Sequence, residues 1–239
     1  MLKSLFIGID RYASPAINWL SCARRDAVAL HGLFVDTLGG ESTLLTDAQA
    51  TRTRIEEELD RLASCQADDV VVIAYSGHGT ETHQLVTYDA DLSDLAGTCI
   101  SLDRLTELFV RIPAHNLIFI LDCCFSGGMG SKALHVDVAA RDLQSAESLL
   151  EHLSGAGRLI LTASLATERA WESQKVGHGL LTYYLLEALQ GGPEGVVREG
   201  KLSVYRLLEH VTRRVVDDAG ALGHEQHPTL RGTLDGDLT

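Results

Sequence analysis

Aromatic side chains are scarce in this chain, at 5% of residues, and basic ones are outnumbered, 20 Lys and Arg against 33 Asp and Glu. The first shortage removes the stacking platforms on which single-stranded nucleic acid binds. The second leaves a formal net charge of −13, which repels polyanions and anionic lipid. Neither nucleic acid nor a membrane is expected as a partner, and a charged substrate is expected to be cationic. Long hydrophobic runs are missing too. The opening stretch Leu5 to Ile9 follows a single lysine and ends at Asp10, too short for a membrane span and unlike a signal peptide, so a cytoplasmic location is expected.

The five cysteines, Cys22, Cys65, Cys99, Cys123 and Cys124, are odd in number and include no CxxC pair, which argues for reduced thiols rather than a disulfide framework. No Walker or GxGxxG motif follows a strand, so nucleotide binding has no support. His224 and His227 stand at i, i+3 with Pro228 directly after, which does not make a helical zinc pair; no metal site is assigned.

Against these gaps stands a 45% hydrophobic fraction over 239 residues, enough for the core of one large domain or two small ones. Leu5 to Ile9 reads as a buried strand. Ala23, Ala27, Leu30, Phe34 and Leu38 share one helix face, with Ser21 as cap and Gly39-Gly40 as stop. Ser42 to Thr46 is a short strand, and Ile55, Leu59 and Leu62 mark a second helix. Val70 to Ala74 is the strongest strand and runs into Tyr75-Ser76-Gly77-His78-Gly79. Leu102, Leu105, Leu108 and Phe109 mark a helix closed by Pro113. Asn116 to Leu121 is another strand, running into Asp122-Cys123-Cys124-Phe125-Ser126-Gly127-Gly128. Residues 128–157 carry little strand signal and read as a mobile connection with a weak helical stretch around Leu143 to Leu153. A strand from Leu159 to Ser164, a helix from Leu181 to Leu189, a last helix capped by Ser203 and an edge strand at 227–232 complete the pattern.

Strands alternating with helices imply a mostly parallel sheet covered on both faces, with ligand sites outside the carboxyl ends of the strands. The loops at 75–79 and 122–128 belong there. A cysteine attacks as its thiolate, and a neighbouring imidazole both takes the thiol proton and later protonates a leaving amine. His78 with Cys123 or Cys124 supplies that pair. The backbone N–H groups of Gly79 and of the nucleophile itself can receive an oxyanion, because glycine permits close approach.

These residues resemble a known family. Tyr75-Ser76-Gly77-His78-Gly79 is similar to the histidine motif of caspase-like cysteine peptidases, and Asp122-Cys123-Cys124-Phe125-Ser126-Gly127 to the D-x-C-x-S-G nucleophile motif of metacaspases and their bacterial relatives. Leu20 to Ala27 resembles the family's L-x-G-x-x-N-D-A helix entry, and Gly179 to Leu189 its G-x-[FL]-T-x-x-L helix. Phe125, Arg25 and Ser21 depart from the family's usual His, Asn and Gly.

The resemblance implies a single caspase-like peptidase domain over 1–239, a three-layer α/β sandwich. Its large-subunit-like part would be 1–127, its mobile connection 128–157 and its small-subunit-like part 158–239. It makes Cys124 the nucleophile and His78 the base, with Gly79 and Cys124 as oxyanion donors and Cys123 a packed residue on the opposite face. It makes Asp26 and Asp122 an acidic pocket, with Ser164 beside them, and so implies cleavage of protein or peptide substrates after Arg or Lys. A guanidinium between two carboxylates relieves their mutual repulsion. No cofactor is required for this chemistry, although Asp89, Asp91 and Asp94 offer oxygen ligands for Ca²⁺. Lys132, Arg141 and Arg158 offer basic sites for self-cleavage, and the setting implied is bacterial regulated proteolysis in defence or cell death. The competing expectation is a caspase-fold interaction scaffold, or a protease inactive until a protein partner activates it.

Overall fold

One six-stranded sheet organises the computed structural model, which describes residues 1–125, 133–134, 146–165, 167–173, 175–191, 196–198 and 201–234. Strands β1 (Leu2–Gly8), β2 (Glu41–Thr46), β3 (Val70–Ser76), β4 (Asn116–Asp122) and β5 (Arg158–Thr162) run parallel in the spatial order β5-β4-β3-β1-β2. Strand β6 (Thr229–Arg231) pairs antiparallel along the outer side of β5, at the edge the sequence suggests.

Side chains of a strand alternate between faces, so the unbroken apolar runs of β3 and β4 feed two cores at once. Leu5, Ile73, Tyr75, Phe119 and Leu121 pack towards helices α2 (Arg52–Leu62), α3 (Leu102–Val110) and α4 (Ala146–Leu153). Phe6, Val72, Ala74, Ile120 and Leu161 pack towards α1 (Ala23–Leu33), α5 (Leu180–Leu189) and α6 (Val204–Ala221). The result is the three-layer α/β sandwich.

Three local expectations change. Helix α1 ends at Leu33 and widens into a π turn over Phe34–Leu38, short of the stop at Gly39. Its N-terminus is not held by the Ser21 hydroxyl: the Asp10 carboxylate accepts from the backbone N–H groups of Ala23 and Arg24, and the Glu172 carboxylate accepts from Ser21 and Cys22 just before the helix at 3.0 and 2.9 Å. A full negative charge satisfies a helix N-terminus more strongly than a hydroxyl does. Ser203 sits at the N-cap of α6 but its side chain makes no capping bond.

The stretch 128–157 holds helix α4, whose Leu149, Leu150 and Leu153 are buried in the core. Ala133–Leu134 pairs with Gly79–Thr80 in a small second sheet that also contains Gln84–Leu85 and Ile100–Ser101. Lys132 and Arg141 lie outside the described residues. Arg158 is no exposed cleavage site: it opens β5, and its guanidinium donates to the carbonyls of Ala114 and Ile112, both at 2.7 Å.

Candidate active site

The register of the central strands sets the site. Ser76 on β3 pairs with Asp122 on β4, so His78 and Cys124 each stand two residues beyond the last pair of two adjoining parallel strands. The loops continue side by side past the sheet. Gly77 N–H donates to the Asp122 carbonyl at 3.4 Å, and a Cβ on Gly79 would stand 2.5 Å from the Cys124 carbonyl oxygen and 3.0 Å from Phe125. Only a glycine lets the histidine loop lie so close to the cysteine loop.

His78 is buried and gripped through its backbone. Its N–H donates to the Tyr12 hydroxyl at 2.9 Å, and its carbonyl accepts from the Tyr75 hydroxyl at 2.7 Å. Burial pushes both phenols far above the ordinary tyrosine range, so they stay neutral hydrogen-bonding groups. The ring is fixed as well: Nε2 lies 2.7 Å from the carbonyl oxygen of Asn18. A carbonyl only accepts, so Nε2 carries a proton, and in the neutral form of the ring the unprotonated nitrogen is Nδ1.

Cys124 is buried on the face of α1 and α5, while Cys123 belongs to the core of the opposite face, as strand alternation requires. The Cys124 sulfur accepts from the backbone N–H of Ala170 and lies 3.7 Å from the Ala170 carbonyl, on the segment that follows β5. That segment closes the sulfur from solvent, leaving the residue 1% exposed.

Asp26 and Asp122 are both buried at the start of α5. Asp26, in the first turn of α1, accepts from Gly179 N–H at 3.3 and 3.2 Å on its two oxygens, from Ser76 Oγ at 3.3 Å, and faces His178 Nδ1 at 2.7 Å. Asp122 accepts from Thr182 Oγ1 at 3.0 Å. Ser76 joins the two acids, bonded to one and paired in register with the other. The N-terminus of α5 favours this concentration of negative charge. Ser164, at the end of the neighbouring strand, is buried but donates to the Glu168 carbonyl at 3.4 Å within its own turn.

Sequence reasoning did not find Tyr12, Asn18, Ser76, Glu172 or His178. A signal existed for the last: Gly177-His178-Gly179 repeats the Gly-His-Gly triplet of 77–79. The acids considered for Ca²⁺ accept backbone N–H groups, Asp91 and Asp94 within their own loop and Asp89 from the start of α2. Asp89 accepts from Arg52 N–H at 2.9 Å, Asp91 from Ser93 N–H at 2.8 Å and Asp94 from Gly97 N–H at 3.0 Å. Among the described residues no group of three His, Cys, Asp or Glu could hold a metal ion. Nor, among them, is any helix long and apolar enough to cross a membrane.

Caspase-1 from Spodoptera frugiperda is 17% identical to this chain and superposes with a TM-score of 0.70, covering 100% of this chain and 88% of that one. A protein from Geobacter sulfurreducens, 16% identical, superposes with a TM-score of 0.68, covering 98% of this chain and 94% of that one. At such identities the likeness shows the fold alone. A comparison with curated proteins finds no match. The model of the caspase domain, however, matches residues 1–239. With that match over its full length, the chain belongs to the caspase-domain family of cysteine peptidases.

Proposed function

We propose that this chain is a cysteine endopeptidase that cuts protein substrates after Arg or Lys. The observation that carries the reading is the paired register of β3 and β4, which delivers His78 and Cys124 from equivalent positions on adjoining strands. In the proposed reaction Nδ1 of His78 takes the Cys124 thiol proton, and the sulfur attacks the scissile carbonyl carbon. The oxyanion is received by the N–H groups of Gly79 and Cys124. His78 returns the proton to the leaving amine, leaving a thioester that water hydrolyses with His78 again as base. The Asn18 carbonyl supports this order of events, because it accepts from Nε2 and so leaves Nδ1 as the unprotonated nitrogen of the neutral ring.

Asp26 and Asp122 are the proposed recognition acids, with Ser164 a neighbour; a basic side chain entering between them gains two charge-assisted partners. An acidic side chain would add a third negative charge. No cofactor takes part. A metacaspase-like role in bacterial regulated proteolysis, in defence or cell death and in the cytoplasm, belongs to the same proposal.

A second reading has its own observation. The closed sulfur, bonded to the backbone of Ala170, suits a peptidase that a protein partner must open, or a scaffold that never opens. Short fluorogenic peptides ending in Arg, Lys or Asp separate the readings. Turnover of the Arg and Lys peptides by the isolated protein, lost in Cys124→Ala and kept in Cys123→Ala, supports the peptidase. Absence of turnover on all three supports the closed form.

A further inference from the structure

The Asp26 carboxylate already has a side-chain partner from its own chain. His178 Nδ1 lies 2.7 Å from Asp26 Oδ1, with Asp26 fully buried and the His178 side chain 17% exposed. This imidazole is delivered by a hairpin in which Glu172–Ser173 pairs antiparallel with His178–Gly179. Three anchors tie the hairpin to the first turn of α1. Glu172 receives the N–H groups of Ser21 and Cys22, Asp26 holds His178 and Gly179, and Arg25 Nη1 donates to the Gly177 carbonyl at 3.1 Å. Gly177 has φ +74°, a conformation that favours glycine, and a Cβ there would push the Arg25 guanidinium aside. Arg25, a departure from the family pattern in the sequence, is thereby explained: it holds the hairpin that covers its neighbour Asp26. Ala170, two residues before Glu172, is the residue on the Cys124 sulfur, so one segment covers both the acid and the thiol.

The geometry points to His178 as a specificity-determining residue: it occupies Asp26 in the resting protein, and a basic side chain must displace it to reach the carboxylate. This rests on the reading of Asp26 as a recognition acid. A guanidinium, with several donors in a fixed fork, outcompetes one imidazole N–H at a carboxylate; a neutral or singly bonding side chain does not. His178 therefore acts as a threshold that raises selectivity for arginine at a cost in affinity.

The test uses agmatine, a small guanidinium, with the full chain at one fixed pH. Calorimetry compares wild type, His178→Ala and His178→Gln, and nitrogen-15 imidazole spectra of wild type follow the His178 ring during titration. The expected result is about tenfold tighter agmatine binding by His178→Ala, in line with one charge-assisted hydrogen bond no longer to be broken. His178→Gln, which keeps a donor, should stay near wild type, and the His178 Nδ1 resonance should move as agmatine saturates the protein. Unchanged or weaker binding by His178→Ala, binding with an unmoved His178 resonance, or no binding to either protein overturns the inference. Fluorogenic peptide assays separate the two claims. Agmatine displacing His178 without peptide turnover removes the proposed reaction and leaves the occupant. Arginyl turnover whose KM is unmoved by His178→Ala, with kcat unchanged, removes the occupant and leaves the reaction.

Discussion

The hydroxyl of Tyr12 stands 2.9 Å from the backbone nitrogen of His78, joining the loop after β1 to the loop after β3 across two neighbouring strand ends. With Tyr75 on the carbonyl side, the backbone of the candidate base is held at both polar groups. Tyr12→Phe removes one acceptor and leaves a buried N–H without it. We expect a loss of about 1–3 kcal/mol in denaturant unfolding, the cost of an unsatisfied buried donor. Peptide turnover should show a fall in kcat larger than any change in KM.

Gly79→Ala tests the contact between the two loops. The added methyl meets backbone, the Cys124 carbonyl at 2.5 Å, so the strain has no flexible side chain to absorb it. Overpacking of this kind costs about 1–3 kcal/mol. Thermal melts should register that loss, and hydrolysis should fall by a larger factor than stability explains, since the loop carrying His78 must move.

Asp122→Asn should separate binding from chemistry. Asparagine can still accept from Thr182 but brings no charge. For arginyl peptides kcat/KM should fall at least about thirtyfold, the loss expected when one member of a buried charge pair is removed. A peptide with a neutral residue before the scissile bond should be cut no more slowly than by wild type.

Glu56 offers a pH-dependent check of the opposite layer. Hydrogen bonding from Arg104 at 2.8 Å, joined by Arg52 at 3.1 Å, holds its carboxyl below the ordinary glutamate range against partial burial. A carboxylate depressed on folding stabilises the protein above its unfolded value, and that contribution is lost as pH falls through the folded value. Glu56→Gln should therefore lower stability at neutral pH by up to about 1 kcal/mol, the pair being partly exposed. The gap to wild type should close as unfolding is measured below the ordinary carboxylate range.

Cys99 supplies a control for thiol chemistry. Burial pushes its thiol up to about 11, so little thiolate exists at neutral pH. Iodoacetamide should leave it unmodified in the native protein and label it in denaturant, read by peptide mass mapping.

The central layer was legible because its signals are local. Val70 to Ala74 and Asn116 to Leu121 announce buried strands by composition, and each runs straight into the residue type that carries chemistry. Parallel pairing then starts the loops of His78 and Cys124 from adjoining strand ends, and strand alternation separates Cys124 from Cys123. The surroundings of Asp26 were not legible in the same way. Glu172 holds the entry to a helix 150 positions away, and strands of two residues, such as His178–Gly179, leave no periodicity to read. Ser76 passes as one residue of the motif around His78 until its hydroxyl is seen on Asp26. Ser164 shows the converse: a strand-end position that sequence suggests for the pocket, with its hydroxyl turned into its own loop.

The most direct test is covalent trapping. A peptidyl-arginine chloromethyl ketone is incubated with the native protein, and the modified residue is mapped by mass spectrometry, with the acidic peptide analogue as competitor control. The account predicts one equivalent on Cys124, abolished by His78→Ala and by excess agmatine, and none from the aspartyl reagent. Labelling of Cys123 instead, or equal labelling by the aspartyl reagent, would contradict it.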